Sequence, residues 1–571
     1  IIKNMLSAKV LYGLNKENTS RDSYIPSDIY YALQRKSRGN LGYGKRQQST
    51  LEGTLTFQHK FGELLDMNLM AGMGRYLDSG DGSDISYENA NDHIQGSSVG
   101  MADGPFYPTS YKYKNEKRSQ FVRGNFDLLG RYVVSASLRR DGTDKFFPSK
   151  KYALFPSVSL AWKMNEESFI KNISWINMLK LRASYGETGS DNLGTTLYGI
   201  VTTTREDVQF NNNSVTYIPY ILSGANYEDV TWQKTVMKNI GLDFSVLRDR
   251  IWGSVDVFRN DVTHLLGTAP TELLGMHGTR PINGGHYKRT GVDVSLNSLN
   301  LQTHDFKWTS QITMSHYNAV WIERMPNYDY QKYQKRKNEP MNAFYYYKTT
   351  GIINVDKSNM PESQRSLGPA ACMPGYPIVE DKNGDGIIDV NDSYMDNTLP
   401  KLYFGFGNTF TWKNFGLKIR THGQLGVKKW NDAYGNSIDV GGLSRGVDAH
   451  NVGIYSYNIW NTQTNTNGRF PGIAISKSVA LPENLGFDYT RENASYIRVR
   501  NITLGYNLGP KELSVFKGYI RGIRVFVDFQ NPLTFTKYKG YDPEINTSSS
   551  NLTGGQYPQM RVYSIGAKLT F

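Results

Sequence analysis

Residues 561–571 alternate between an apolar face and one whose positions are mostly small or polar. Tyr563, Ile565, Ala567, Leu569 and Phe571 fall on one face of an extended strand, and Val562, Ser564, Gly566, Lys568 and Thr570 on the other. The same period recurs upstream. Tyr132, Val134, Ala136 and Leu138 alternate with Val133, Ser135, Ser137 and Arg139, and Leu179, Leu181, Ala183 and Tyr185 with Lys180, Arg182, Ser184 and Gly186. Val158, Leu160, Trp162 and Met164 repeat it, as do Ile502, Leu504, Tyr506 and Leu508. A period of two gives each strand one dry face and one wet face. A soluble sandwich alternates too, so no single strand discriminates. Many long strands in series, dry faces rich in aromatics and wet faces small or charged, fit a barrel with lipid outside and water inside. Closure leaves no unpaired backbone in lipid.

The pattern predicts about 17 strands, near 5–15, 49–61, 64–77, 117–128, 130–141, 152–164, 177–187, 231–247, 250–265, 287–300, 303–318, 343–350, 402–413, 415–426, 494–508, 519–533 and 559–571. Leu128-Leu129-Gly130-Arg131 and Arg248-Asp249-Arg250 read as tight turns, whereas 78–115, 188–228, 266–286, 319–342, 351–401 and 427–492 read as long polar loops. Short turns at one end and long loops at the other belong to bacterial barrels, whose long loops lie outside the cell. The expected fold is all-β, a transmembrane antiparallel β-barrel over residues 1–571. The terminal Phe571 closes the chain as an outer-membrane barrel strand does.

Composition narrows this picture. No run of 18 apolar residues occurs and the mean hydropathy is −0.52, which removes helical spans but not a barrel. Aromatics make up 13% of the residues, enough for interfacial girdles. The single Cys372 rules out a disulfide framework and a thiolate metal site. The net charge of +13 is spread along the chain, with its densest run at Lys332, Lys335, Arg336 and Lys337. A solvated basic loop and a polar lumen account for it better than nucleic-acid binding, and a basic rim also suits anionic lipopolysaccharide.

One motif carries explicit chemistry. Asp381, Asn383, Asp385, Gly386, Ile387, Asp389 and Asp392 occupy positions 1, 3, 5, 6, 7, 9 and 12 of an EF-hand-like loop. The pattern offers side-chain oxygens and the Ile387 carbonyl to Ca²⁺, with a structural role in pinning the 351–401 loop. Asp392 is shorter than the usual bidentate Glu. An Asx- and Gly-rich turn without metal is the competing reading. The nine histidines show no metal spacing, no nucleophile elbow is present, and no glycosidase dyad stands out, so no enzyme is expected. Phe344, Tyr345, Tyr346 and Tyr347 read as girdle packing first and as a surface for sugar rings or a lid second.

Several stretches resemble the barrel of SusC-like (RagA-like) TonB-dependent transporters of Bacteroidota. They are Ser137-Leu138-Arg139-Arg140-Asp141-Gly142, Phe155 to Trp162, Leu179 to Gly186, Asn239 to Phe244, Pro400 to Phe415, Ala494 to Asn501 and Gly540-Tyr541-Asp542-Pro543-Glu544. Gln233 stands where the family has Glu, and Asn531-Pro532-Leu533 where it has Asn-Leu-Phe. The resemblance implies a 22-stranded barrel with a plugged lumen, of which this chain is the C-terminal portion, without plug domain or TonB-box segment and about five strands short. The absent strands are expected in the native particle, because free edges in lipid are prohibitive. Ile1 follows no initiator Met or leader, in keeping with a longer precursor. The resemblance also implies import of an oligosaccharide or peptide with a SusD-like surface lipoprotein, TonB acting through a segment outside this chain, and room for a dimer of transporter–lipoprotein pairs. Lys180, Arg182, Arg498 and Arg500 would line the wet interior. A structural or assembly barrel that imports nothing is the alternative.

Overall fold

The computed structural model describes residues 5–27, 37–89, 99–193, 203–205, 210–212, 215–217, 220–222, 228–270, 279–326, 334, 338–431, 457–472, 481–489, 491–510, 512–516, 519–540, 542–545 and 558–571. Sixteen strands form one antiparallel sheet whose spatial order is chain order. They are β1 (Leu6–Ile25), β2 (Arg38–Phe61), β3 (Leu65–Glu88), β4 (Phe106–Leu128), β5 (Tyr132–Thr143), β6 (Tyr152–Lys163), β7 (Ile176–Ser190) and β8 (Gln233–Val246), then β9 (Ile251–Pro270), β10 (Thr279–Gln302), β11 (Phe306–Glu323), β12 (Leu402–Trp412), β13 (Phe415–Leu425), β14 (Tyr496–Leu508), β15 (Gly522–Thr536) and β16 (Val562–Thr570). At one end β2–β3, β4–β5, β8–β9, β10–β11 and β12–β13 are joined by only two to four residues. Leu129 and Gly130, at φ 55° and 66°, take the left-handed backbone conformation of tight hairpin turns, whose twist matches that of the flanking strands. The opposite end carries the longest connections, after β11 and after β13.

Register fixes the two faces. Val134, Leu160, Ala183, Ile240, Val257 and Val292 are successive cross-strand partners from β5 to β10. They make one apolar row, yet Leu160, Ile240 and Val257 are 53%, 63% and 54% exposed, as a lipid-facing band must be in the bare chain. One residue along, Arg182, Gly241, Asp256, Asp293 and Ser315 form the row on the other face. Arg123 from β4 and Asp293 from β10 line a single cavity of about 720 Å³. A barrel surrounded by lipid turns its charged row to the lumen, so that face is the interior. The expected interior charges are paired there: Arg182 reaches Asp243 at 2.7 Å and Asp256 at 3.1 Å, and Lys180 reaches Asp243 at 3.5 Å.

Sixteen of the predicted strands are wall strands. The segment at 343–350 is not. Ala343–Tyr347 pairs antiparallel with Tyr394–Asn397 and parallel with Gly486–Phe487 in a separate three-stranded sheet above the wall. Its tyrosines are buried on both sides, with Tyr345 and Tyr347 at 9% and 0% exposure, so it lacks the wet face of a wall strand. Both ends of the expected loop 78–115 are strand instead: β3 runs on to Glu88 and β4 begins at Phe106. Among the described residues β1 and β16 each pair on one side only, so the sheet is open there.

Candidate functional site: the upper lumen and its loops

The connections after β11 and β13 fold together. Tyr347, Val379, Ile388 and Leu481 form one buried cluster, and Ile353, Ala371, Tyr376 and Ile378 another. Leu367 and Phe487 pack against both, which makes a single apolar core from two loops. Gln364, wholly buried in it, donates through Nε2 to the Ala371 and Pro377 carbonyls at 3.0 and 3.1 Å and accepts from Val379 N at 3.0 Å. Asp488 accepts from Thr349 N and Oγ1 at 3.0 and 2.7 Å, tying one loop to the other. The Phe344–Tyr347 segment is thus neither girdle nor sugar platform. Tyr347 is core, and Phe344 and Tyr346 stack on the Arg491 guanidinium, at 4.2 and 5.3 Å from their centroids. Burial pushes the Tyr346 phenol up to about 12, with Asp396 adding to it. The basic run at 332–337 lies outside the described residues but for Gln334.

The acidic loop hangs from this core by Ile388, and the Tyr347 hydroxyl donates to the Asp389 carbonyl at 3.0 Å. Asp381 accepts from Gly384 N at 2.7 Å and Gly386 N at 2.9 Å. Asn383 accepts from Asp385 N at 3.1 Å, Asp385 from Ile387 N at 2.9 Å, and Asp389 from Asn391 N at 2.7 Å. Asp392 is fully enclosed and caps Lys382 N at 2.9 Å, Asn383 N at 3.3 Å and Asp389 N at 2.8 Å. Among the described residues no group of three or more His, Cys, Asp or Glu side chains is gathered as a metal cluster.

Arg498 of β14 is the site residue whose partners could not be read from spacing. Its side chain is 3% exposed and points inward to the connection after β15. Its Nη2 lies 2.7 Å from Asp542, its Nη1 2.5 Å from Glu544, and its Nε donates to Thr534 Oγ1 at 2.9 Å. Burial works against ionisation of Asp542. The Glu544 and Gln559 amides and Arg498 outweigh it and hold the carboxyl below its usual range. His422 of β13 approaches Glu544 at 3.3 Å, and Lys429 donates to the Pro543 and Ile545 carbonyls at 2.5 and 3.1 Å. Residues 542–545 are thereby strapped across the upper inner wall. Beneath the strap is a cavity of about 520 Å³ lined by Asp293, Thr313, Ser315, Tyr403, Gln424 and Glu544. Arg500, the other arginine expected inside, donates to Asn531 at 3.4 Å.

An antiparallel meander with an apolar exterior, a charged concave interior and short turns at one end is the wall of a membrane-spanning β-barrel. The family model described as TonB dependent receptor-like, beta-barrel, matches residues 6–531, and the chain belongs to that family, whose members are outer-membrane receptors and transporters rather than enzymes. TonB-dependent receptor P3 of Formosa agariphila is 26% identical, the match covering 99% of this chain and 56% of that protein. TonB-dependent receptor SusC of Bacteroides thetaiotaomicron is 27% identical, covering 81% of this chain and 44% of SusC. The chain thus spans about half the length of these curated relatives. The RagAB peptide transporter superposes over 100% of this chain and 60% of its own with a TM-score of 0.79 at 20% identity, a likeness of fold.

Proposed function

We propose that this chain forms the wall, upper loops and part of the ligand cavity of a TonB-dependent importer in a Bacteroidota outer membrane. The observation that carries the reading is the roofed polar interior, with paired charges along the wall and a strap tied by Arg498 over a cavity sized for a small ligand. In this reading a SusD-like lipoprotein docks on the loop unit and delivers an oligosaccharide or peptide. TonB acts on a segment outside this chain to open the path, and the basic rim meets lipopolysaccharide. Pairs of transporter and lipoprotein would dimerise. The relatives carry names of this group, which supports the reading.

The acidic loop would hold a structural Ca²⁺. Asp381, Asn383, Asp385 and Asp389 present hard oxygens at the surface, and each carboxylate oxygen that accepts one amide keeps a second lone pair for a cation. The Ile387 carbonyl would complete the set, while Asp392 acts through the backbone it caps.

The experiment is mass spectrometry of the detergent-extracted native particle, combined with nutrient uptake in cells with and without TonB. Plug and lipoprotein peptides with TonB-dependent uptake support import. Other stoichiometric partners and no uptake promote a structural barrel. Elemental analysis of the same particle checks calcium: about one bound Ca²⁺ lost in the Asp381→Asn/Asp385→Asn variant is expected, and no calcium in the wild-type particle sinks the assignment.

A further inference from the structure

The polarity of the wall inverts along β4. From Val122 toward the short-turn end, Arg123 and Asn125 face the interior while Val122 and Phe126 face out, as lipid demands. Above that level the pattern reverses. Tyr107, Tyr111 and Tyr113 share the interior face with Arg123, and Lys112 and Lys114 face outward. Water surrounds the upper wall on both sides, so lipid cannot be the reason for turning apolar rings inward.

The rings are also held flat. Tyr111 pairs with Gly82 and Tyr113 with Gly80, and Gly44 of β2 lies beyond Gly82 in the same row. A Cβ built on Gly82 would stand 2.7 Å from the Tyr111 ring, and one on Gly80 2.7 Å from Tyr113. Any side chain on this glycine floor would lift the rings off the backbone. The two rings lie 17° from parallel with centroids 6.4 Å apart, and Tyr111 is 48% exposed although one ring face is pressed on β3. The open ring faces look into the lumen. Two ion pairs border them on the same face: Arg46 with Asp78 at 2.6 Å, and Arg21 with Asp84 at 3.4 Å. The Tyr113 hydroxyl meets Asp78 at 3.4 Å.

The geometry points to Tyr111 and Tyr113 as a stacking platform for the pyranose rings of an uncharged oligosaccharide, a site that deepens the import reading above and rests on it. Flat, locked aromatic faces match the apolar C–H face of a pyranose. Carboxylate–guanidinium pairs at the rim offer acceptors and donors side by side for its hydroxyls. A structural explanation, rings covering bare glycine backbone, accounts for the flatness but not for the inward turn of Tyr107, which pairs with Ser86 rather than with a glycine.

The test uses the full-length transporter in detergent, with maltohexaose, cellohexaose, xylohexaose and mannohexaose as probes beside a tryptic casein digest, read by saturation-transfer NMR and calorimetry. Tyr111→Leu/Tyr113→Leu keeps apolar cover on the glycine floor without a flat face, and Tyr111→Phe/Tyr113→Phe keeps the face without hydroxyls. Heat-modifiable mobility on gels reports that each barrel is folded. At least one oligosaccharide is expected to bind, more than tenfold weaker in the leucine variant and within about threefold in the phenylalanine variant. Binding unchanged by the leucine pair overturns the platform, and so does binding of peptides with no oligosaccharide. Oligosaccharide binding without TonB-dependent uptake overturns the import reading and leaves the platform standing.

Discussion

The wall and the loop unit are built from one chain and place their apolar residues in opposite directions. In the wall, Leu160, Ile240 and Val257 point outward and the interior is filled with paired charges. In the loop unit, Tyr347, Tyr376, Val379 and Ile388 point inward and are almost fully buried. The difference is one of solvent. The wall has lipid as its apolar partner and needs no core of its own, whereas the loops stand in water and must supply one. Two kinds of substitution should therefore fail in two different ways.

The sharpest contrast is between Arg498 and the rest of the wall. Arg498→Leu removes the cation hydrogen-bonded to buried Asp542, and removal of one partner of a buried pair costs about 3–5 kcal/mol. The expected outcome is proteolytic cleavage within 540–560 while the barrel keeps its heat-modifiable migration. Next comes the loop core. Phe470, fully buried against Ile459, should cost about 3–5 kcal/mol when truncated to Ala, seen as faster hydrogen exchange across 457–472 and unchanged exchange in β12 and β13. Leu160→Arg on the outer face should cost about 2–4 kcal/mol in bilayer refolding, whereas Ser159→Arg on the inner face should fold normally. If the two behave alike, the assignment of faces is wrong.

A smaller effect follows pH. The Asp542 carboxyl is held below its unfolded value, so its contribution to the strap is complete above the ordinary carboxylate pKa and is lost as pH falls through the lower folded value. Exchange at 542–545 should stay slow at pH 5 and rise only below about pH 4. Rise at a higher pH would mean that the Asp542 carboxylate does not hold the strap. The smallest effect is expected at Arg21, whose pair with Asp84 is largely exposed. Arg21→Ala should change stability by less than about 1 kcal/mol.

The wall was legible because lipid on one face and water on the other impose a period of two on every strand between them. Where that constraint ends, so does the signal. Lys45, Arg46, Gln47 and Gln48 of β2 pair with Asp81, Gly80, Ser79 and Asp78 of β3, polar on both faces, and fall outside the strands the sequence predicts although they are regular ladder. The loop core was hidden for another reason: Tyr347, Val379 and Leu481 come from distant segments, and no local period announces their meeting. Its one misleading signal was the aromatic run at 344–347, which girdles and cores share. The Gly540–Glu544 stretch stood out as a motif, yet its task as counter-charge to Arg498 depends on the long return from β15. The acidic loop was legible down to its positions, because Asx side chains and glycines at fixed offsets dictate the turn they make.

The uneven strand lengths have a consequence for whatever meets this surface from outside. β2 and β3 have 24 residues each and β12 and β13 have 11. A tilted crossing takes about 9–11 residues, so about 14 residues of each strand of the β2–β3 hairpin remain, which at about 3.3 Å per residue and the same tilt stand roughly 30 Å clear of the hydrocarbon. A bacteriophage fibre or an antibody arriving at the cell would meet this one-sided palisade, and escape variants should collect at its crest, around 38–41 and 85–89.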